Sequence, residues 1–269
     1  MRLWMLGSGS GGNSAVVSCD GEHVVVDAGF GSRTLASRLR AAGVPPAAVA
    51  ACVLTHEHGD HVRGAARVAV RWRWPLFATA GTAATTPLAR TPIRRVATGA
   101  TIEFERMSVR TIATPHDAAE SIGVVFTEIR TGARIAIFND LGHVTDAIRD
   151  ACRGVDVLVI ESNHDDAMLR FGPYPRWLQA RIASNVGHLS NRSAAALLTQ
   201  TVSPDVTHVV LAHLSQQCNT PKVALSAAGA VLRRARYRGS LTAARPDAVD
   251  GPFQAGRSHA DRPLQLSLL

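Results

Sequence analysis

Long apolar runs are missing from this sequence. No stretch approaches the ~20 apolar residues that a helix needs to span a bilayer. Residues 1–6 lead at once into Gly and Ser, without the apolar region and small-residue cleavage site of a secretory signal. We therefore expect a soluble, cytoplasmic protein with no membrane partner.

Paired cysteines are missing as well. The four cysteines are widely spaced and form no CxxC pair. This spacing argues against a disulfide framework and against a zinc ribbon, and it fits a reducing compartment.

Acidic residues are in deficit, with 21 Asp and Glu against 29 Lys and Arg, which gives a formal net charge of +8. A balance this basic favours polyanionic partners such as nucleic acid. A general arginine bias is the alternative, because nearly all the basic residues are arginine. The sequence contains no single long basic run, so folding would have to bring separate basic residues together to form a positively charged surface.

The 269 residues suffice for one α/β domain, and 46% of them are hydrophobic. Strands with one helix come first, more strands follow, and helices then alternate with strands. This order predicts two sheets with helices outside. From residue 243 the apolar periodicity disappears, so we predict one folded domain over residues 1–242 and a disordered tail over residues 243–269.

A dense cluster of metal-binding side chains follows a short apolar strand at residues 50–55. His56, His58, Asp60 and His61 fall within six residues. Imidazole and carboxylate together suit zinc, manganese or iron. A strand end directs side chains i and i+2 the same way, so His56 and His58 can share one ion, while Asp60 and His61 turn toward a second.

Three further ligand candidates each follow an apolar strand, the usual place for sites in α/β proteins. They are His116, Asp140 and His213. Each one alone could be a capping residue or a satisfied core residue. Together they repeat the arrangement of the first cluster and indicate a site for two ions.

The motif at residues 55–61, Thr-His-Glu-His-Gly-Asp-His, resembles the HxHxDH signature of the metallo-β-lactamase superfamily, and the resemblance covers about residues 1–235. It implies an α/β fold, a four-layer αββα sandwich, with a dinuclear site at the sheet edges and two divalent ions (zinc or manganese, with iron as a further choice). It also implies the ligands: His56, His58 and His116 for one ion, Asp60, His61 and His213 for the other, and Asp140 bridging both.

Five other segments resemble the YycJ/WalJ group of this superfamily, which is considered a set of 5′-to-3′ DNA exonucleases. They are residues 7–14, 161–165, 172–175, 187–191 and 211–215. One departure is Asn139, where the group's pattern suggests Thr. The resemblance implies a DNA exonuclease of repair or replication. A tRNA-processing type of RNA endonuclease, a small-molecule hydrolase (of a thioester, lactone or cyclic nucleotide) and a non-catalytic binding module are the alternatives.

Glu161 and His188 resemble the pair that acts on the leaving group in tRNA 3′-processing ribonucleases of the superfamily. A departing alkoxide needs a proton, and a histidine oriented by a carboxylate can donate it. His164 is a second candidate for this role, and Asp60 takes part in catalysis by holding an ion. The alternative for His188 is an incidental histidine near a helix N-cap.

Substrate contacts are expected from the Gly/Ser-rich loop and from the segments after Glu161. In the loop, Ser10 and Asn13 would face the substrate or support the ligands. Arg can grip phosphate oxygens and aromatic rings can stack on bases, although core packing is the alternative for the aromatics. The candidates beyond the loop are Asn163, Tyr174, Arg181 and Ser190, with Arg176, Phe171 and Trp177 as further choices.

The last five residues, Gln265 to Leu269, resemble the QLxLF-type peptides with which bacterial proteins bind the DNA-polymerase sliding clamp. A short apolar anchor on a flexible tether suits binding in a groove. The alternative is a terminal strand that pairs with the edge of the domain.

Overall fold

The computed structural model describes residues 1–85, 88–256 and 265–266, and these form two mixed sheets. The first sheet has seven strands. In chain order they are β1 (Arg2–Gly7), β2 (Ser14–Cys19), β3 (Glu22–Val26), β4 (Val49–Val53), β5 (Leu76–Ala78), β6 (Ile93–Arg95) and β14 (Asp250–Gln254). Across the sheet the order is β14-β1-β2-β3-β4-β5-β6.

The second sheet has eight strands. They are β7 (Thr101–Glu103), β8 (Met107–Ala113), β9 (Ile122–Glu128), β10 (Arg134–Phe138), β11 (Val157–Glu161), β12 (His208–Ala212), β13 (Ser240–Ala243) and β15 (Gln265–Leu266). The order is β15-β13-β12-β11-β10-β9-β8-β7, antiparallel from β7 to β10 and parallel from β10 to β15.

The α-helices of the described residues connect these strands. They are α1 (Ser32–Ala41), α2 (Gly59–Val62), α3 (Ala65–Arg71), α4 (Ala80–Ala83), α5 (Asp146–Ala151), α6 (Asp166–Phe171), α7 (Arg176–Ile182), α8 (Asn191–Thr201) and α9 (Pro221–Arg234). Over the described ranges, no helix combines the length and the apolarity needed to cross a membrane.

The core consists of three apolar layers, which confirms the four-layer αββα sandwich. Between the sheets, residues such as Leu3 of β1 pack against residues such as Phe126 of β9. The outer face of the first sheet is covered by α1 and α3 through Leu35 and Val68. Helices α5, α8 and α9 cover the outer face of the second sheet.

The parallel strands β10, β11 and β12 are buried on both faces, which explains why they read as continuous apolar runs. Parallel strands end at the same edge of a sheet. The residues at and after their carboxyl ends, Asp140, Glu161 and His213, therefore come together. In the first sheet, β3 and β4 are also parallel and bring Asp27 and His56 to the facing edge.

The predicted disorder of the tail is wrong for residues 243–256. Strand β13 crosses the predicted boundary at residue 242, and β14 pairs antiparallel with β1, with Arg2 opposite Gln254. Phe253 of β14 is buried in the layer between the sheets. Only a few side chains of this segment are buried, so its order comes largely from backbone pairing at an open sheet edge. Apolar periodicity does not report such pairing.

The C-terminal peptide is described only at Gln265 and Leu266, whose backbone forms β15 parallel to β13. This pairing is the alternative that the sequence left open. Residues 267–269, which complete the clamp-like peptide, lie outside the described residues, as do residues 257–264 before it. Clamp binding remains a prediction.

The position of Phe253 yields a stability test. Substituting Phe253→Ala should lower the free energy of unfolding by roughly 3 kcal/mol, because a buried ring is replaced by a cavity. Urea unfolding followed by circular dichroism measures the change. Ile129→Ala, at a side chain that is 59% exposed, is the control and should change stability by less than about 0.5 kcal/mol. Equal stability of the two variants would contradict the placement of β14.

Candidate metal and phosphodiester site

The site lies where the carboxyl-terminal edges of the two sheets meet. Three of its residues lie within two positions of a strand end and adopt a left-handed backbone: Asp27 (φ 61°), Asp140 (φ 53°) and His213 (φ 53°). Left-handed non-glycine residues each cost on the order of 1 kcal/mol or more and cluster at functional sites. Here they turn three polar side chains at the strand ends.

The first group of ligands is His56, His58 and His116, whose candidate ligand atoms lie within 4.8 Å of one another. His116 Nδ1 lies 3.0 Å from the carbonyl oxygen of Gly187, so it donates and leaves Nε2 for an ion. His116 Nε2 lies 3.2 Å from His58 Nδ1. His56 Nδ1 contacts the Thr55 hydroxyl at 3.0 Å, and its Nε2 is buried without a hydrogen-bond partner.

The second group is Asp60, His61 and His213. Asp60 Oδ2 lies 3.5 Å from Nε2 of both histidines. Asp140 lies between the groups, with Oδ2 2.8 Å from His61 Nε2 and Oδ1 2.7 Å from His213 Nδ1. Asp140 also forms a candidate ligand set with His56 and His61, so it is placed to bridge two ions.

The donor set fits divalent cations. The Nε2 atoms of His56 and His213 and Oδ2 of Asp140 are buried and have no hydrogen-bond partner, although the Asp140 oxygen lies close to His61. Burying such polar atoms unpaired is costly, and coordination satisfies them. Mixed imidazole and carboxylate ligation is typical of zinc, manganese and iron sites. The cluster is therefore able to bind metal ions.

The electrostatics of the cluster favour cations. Burial tends to raise the pKa of Asp140, but His213 and His61 hold it well below its usual value. Burial tends to lower the pKa of His61, but Asp27 and Asp140 raise it to about 10. Histidine and carboxylate groups thus share protons in the site, and a metal ion replaces such protons when it binds.

Asp27 supports the ligands and was not among the predicted site residues. Its carboxylate lies 2.7 Å from His61 Nδ1 and accepts hydrogen bonds from the Thr55 amide at 2.8 Å and the Thr55 hydroxyl at 2.9 and 3.0 Å. It therefore fixes the ring of His61 with Nε2 facing Asp140. The sequence feature that could have identified Asp27 is an acidic residue after an apolar strand. The same feature identified Asp140.

Glu161 and His188 form the predicted pair. Glu161 Oε1 lies 2.8 Å from His188 Nδ1, and Oε2 accepts hydrogen bonds from the backbone amides of Leu141 (2.7 Å) and Leu189 (2.9 Å). Burial tends to lower the pKa of His188, but Glu161 and Asp140 raise it to about 9. Burial tends to raise the pKa of Glu161, but His188 and His213 lower it to about 2.

A cavity of ≈ 200 Å³ opens beside the ligands. His58 and His188 line it, together with four of the predicted substrate contacts, Ser10, Asn163, Tyr174 and Arg181. Asp117, which was not predicted, also lines it. Arg181 Nε donates to Asp117 Oδ2 at 2.6 Å, and Asp117 Oδ1 lies 3.3 Å from His116 Nε2.

Two predicted substrate contacts, Asn13 and Ser190, have hydrogen-bond partners within the protein. Asn13 is fully buried, and its Nδ2 lies 3.1 Å from Asp60 Oδ2, so it supports a ligand, as the sequence allowed. The Ser190 hydroxyl accepts a hydrogen bond from the Ser193 amide (3.2 Å) and caps α8. A hydroxyl just before a helix is favoured as a cap, which the substrate assignment overlooked.

The remaining candidates are not among the residues that line the cavity. His164 is buried, and its Nδ1 has no hydrogen-bond partner. Arg176 lies exposed at the start of α7. Core packing is excluded for Phe171 and Trp177, which are 81% and 68% exposed. A catalytic or substrate role for these residues remains a prediction.

The fold and the convergent ligands define a metal-dependent hydrolase. Residues 22–214 match the family described as "Beta-lactamase superfamily domain". The chain belongs to this superfamily, in its metallo-β-lactamase form.

Two curated relatives match most of the chain. It is 31% identical to the protein named exodeoxyribonuclease YycJ of Bacillus anthracis over 237 residues, which cover 86% of this chain and 89% of the relative. It is 28% identical to exodeoxyribonuclease WalJ of Streptococcus pneumoniae over 227 residues, 82% and 84% of the two chains.

Solved structures agree in fold. The metallo-β-lactamase fold protein YhfI of Bacillus subtilis superposes with a TM-score of 0.70 at 15% identity, covering 93% of this chain and 99% of that one. The zinc-bound PqqB of Methylobacterium extorquens superposes with a TM-score of 0.67 at 20% identity, covering 93% of this chain and 100% of that one. The short form of human tRNase Z superposes with a TM-score of 0.64 at 20% identity, covering 94% of this chain and 100% of that one.

The contacts of Asp27 yield a test of metal binding. Asp27→Asn should weaken zinc binding about 10- to 100-fold, because a group that orients a ligand is lost. Competition with a chromogenic chelator measures the affinity, and circular dichroism checks the fold. The control Asp146→Asn changes an exposed carboxylate at the start of α5 and should leave the affinity unchanged. Wild-type zinc affinity in the Asp27 variant would show that Asp27 does not orient His61.

Proposed function

We propose that this protein is a dinuclear phosphodiesterase that degrades DNA from the 5′ end, as an exonuclease of repair or replication. The observation that carries the proposal is His188, which contacts both Glu161 and the bridging candidate Asp140 at the wall of the cavity. The names of the two curated relatives support DNA as the substrate, and so does the basic balance of the chain.

Two ions would be held by the groups described above, with Asp140 between them. When bound, they supply Lewis acidity and lower the pKa of water toward neutrality. The chain itself supplies the remaining groups.

His188 is oriented for proton transfer. Its Nδ1 is fixed by Glu161, which leaves Nε2 for the departing oxygen of the phosphodiester. Glu161 is itself held by two backbone amides, so the pair has a defined position. Histidine and carboxylate together can protonate an alkoxide, which is a poor leaving group without a proton.

Arg181 and Tyr174 suit the rest of a nucleotide. The guanidinium of Arg181 is paired with Asp117 and stands at the cavity wall, where a phosphate oxygen can share it. Tyr174 offers a ring on which a base can stack, a contact that tolerates any sequence. Ser10 adds a hydroxyl donor on the opposite loop.

The substrate and polarity are tested together. Single strands of DNA and RNA with the same sequence, labelled at the 5′ or 3′ end, are incubated with the zinc- or manganese-loaded protein. We expect the 5′ label to be released first, as a mononucleotide, and DNA to be degraded faster than RNA. Asp60→Ala is the control, because loss of a ligand should abolish the reaction. Internal cleavage of RNA would favour the tRNA-processing type of activity.

Two substrates whose leaving groups differ in their need for a proton test the role of His188. His188→Ala should lower kcat on DNA roughly 100-fold or more, because the alkoxide loses its proton donor. On bis(p-nitrophenyl) phosphate the loss should be much smaller, since nitrophenolate leaves without a proton. Metal content is measured in parallel. His143→Ala, an exposed histidine paired with the Asn185 carbonyl, is the control and should match the wild type. Equal losses on both substrates would refute an acid role.

A further inference from the structure

One segment of the chain carries much of its positive charge. Residues 61–102 contain seven arginines and no Asp, Glu or Lys. They are Arg63, Arg67, Arg71, Arg73, Arg90, Arg94 and Arg95. The segment begins directly after Asp60 of the site and continues through α3 to the edge strand β6.

Three of these arginines share one helical face. Arg63, Arg67 and Arg71 stand at positions i, i+4 and i+8 and are all exposed. Arg63 and Gly64 keep right-handed helical dihedral angles between α2 and α3, so the turn continues through them. Successive guanidinium groups are thus set about 6 Å apart along the axis, comparable with the spacing of phosphates along an extended single strand.

Most charges of this arginine-rich segment lack acidic partners. Among the described residues, no ion pair includes any of five arginines of the segment: Arg67, Arg71, Arg73, Arg94 and Arg95. Like charges at i and i+4 repel and destabilise a helix slightly. A polyanion laid along the helix would relieve this repulsion.

The face is continuous with the active site at one end. The Arg63 guanidinium donates to the carbonyl oxygen of Gly11 at 2.9 Å. Gly11 adjoins Ser10, which lines the site cavity. The arginine row therefore starts at the rim of the cavity.

A groove lies at the other end of the face. It has a volume of ≈ 480 Å³ between α3 and β6, and its walls include Val70, Arg73, Trp74 and Arg94. Val70 is 81% exposed. Positive charge beside apolar surface suits a strand whose phosphates and bases are both accessible.

We propose that this face together with the two arginines of the groove, the arginine track (Arg63, Arg67, Arg71, Arg73 and Arg94), binds the backbone of the single-stranded DNA that leads away from the active site. The proposal rests on the proposed function, and it adds a path for the uncleaved part of the strand. Phosphates pair with the guanidinium groups without reading sequence. The track keeps a long substrate attached while its end occupies the cavity.

The test compares two double variants with the same loss of charge. Arg67→Gln with Arg71→Gln removes two positions of the track, and Arg233→Gln with Arg236→Gln removes two exposed arginines at the end of α9, on the opposite outer layer. Fluorescence anisotropy measures binding of zinc-loaded protein to oligo-dT of about 5 and about 25 nucleotides over a salt series. Hydrolysis of both lengths gives kcat/KM.

For the track variant we expect about tenfold weaker binding of the long strand. The slope of log affinity against log salt should become shallower by about 1.4, since each phosphate contact of a single strand contributes roughly 0.7. The ratio of kcat/KM for the long strand to that for the short strand should fall, and the α9 variant should keep the wild-type ratio.

Equal behaviour of the two double variants would overturn the track, even if both hydrolyse DNA and so support the proposed function. Conversely, binding of the long strand that depends on the track but occurs without hydrolysis would support the track and contradict the exonuclease. Binding to anionic phosphatidylserine vesicles is measured as well. Loss of vesicle binding in the track variant with unchanged oligo-dT binding would assign the face to a lipid surface and overturn the proposal.

Discussion

The carboxylate of Asp140 is buried between two histidines, His61 on one side and His213 on the other, and the site depends on this contact. A buried carboxylate is costly unless cationic groups or hydrogen bonds surround it. Here the histidines provide that environment, and the same cluster is able to bind metal ions. Placing these side chains requires a left-handed backbone at Asp140 and His213, which is a strained conformation for residues other than glycine.

The sandwich places the candidate metal ligands and Glu161 at one edge of the two sheets. Parallel strands β10, β11 and β12 end side by side and present Asp140, Glu161 and His213. The facing sheet contributes the histidine loop after β4. A second ring of contacts holds the ligands, with Asp27 on His61, Asn13 on Asp60 and the Gly187 carbonyl on His116. Substitutions in this second ring should therefore act on metal affinity before they act on the fold.

Charge is distributed in a way that suits a polyanionic substrate. Carboxylates gather in the interior of the site, where they can hold cations. Arginines instead occupy the outside, and the row that continues along α3 begins at Arg63, just before that helix and beside the loop that carries Ser10. The sequence contains no long basic run, and the helical spacing of Arg63, Arg67 and Arg71 is what aligns their charge.

The HxHxDH motif, through its resemblance to a known superfamily, and the apolar strands indicated the superfamily, the αββα sandwich and the residues expected as metal ligands, because ligand types at strand ends follow a local rule. The sequence also singled out Glu161 and His188, through resemblance. Only the tertiary structure decided the partners of these groups: Asp27 and Asp117, the support of Asp60 by Asn13 and the pairing of β14 with β1. Such contacts join residues far apart in the chain, and their hydrogen bonds leave no periodic pattern in the sequence.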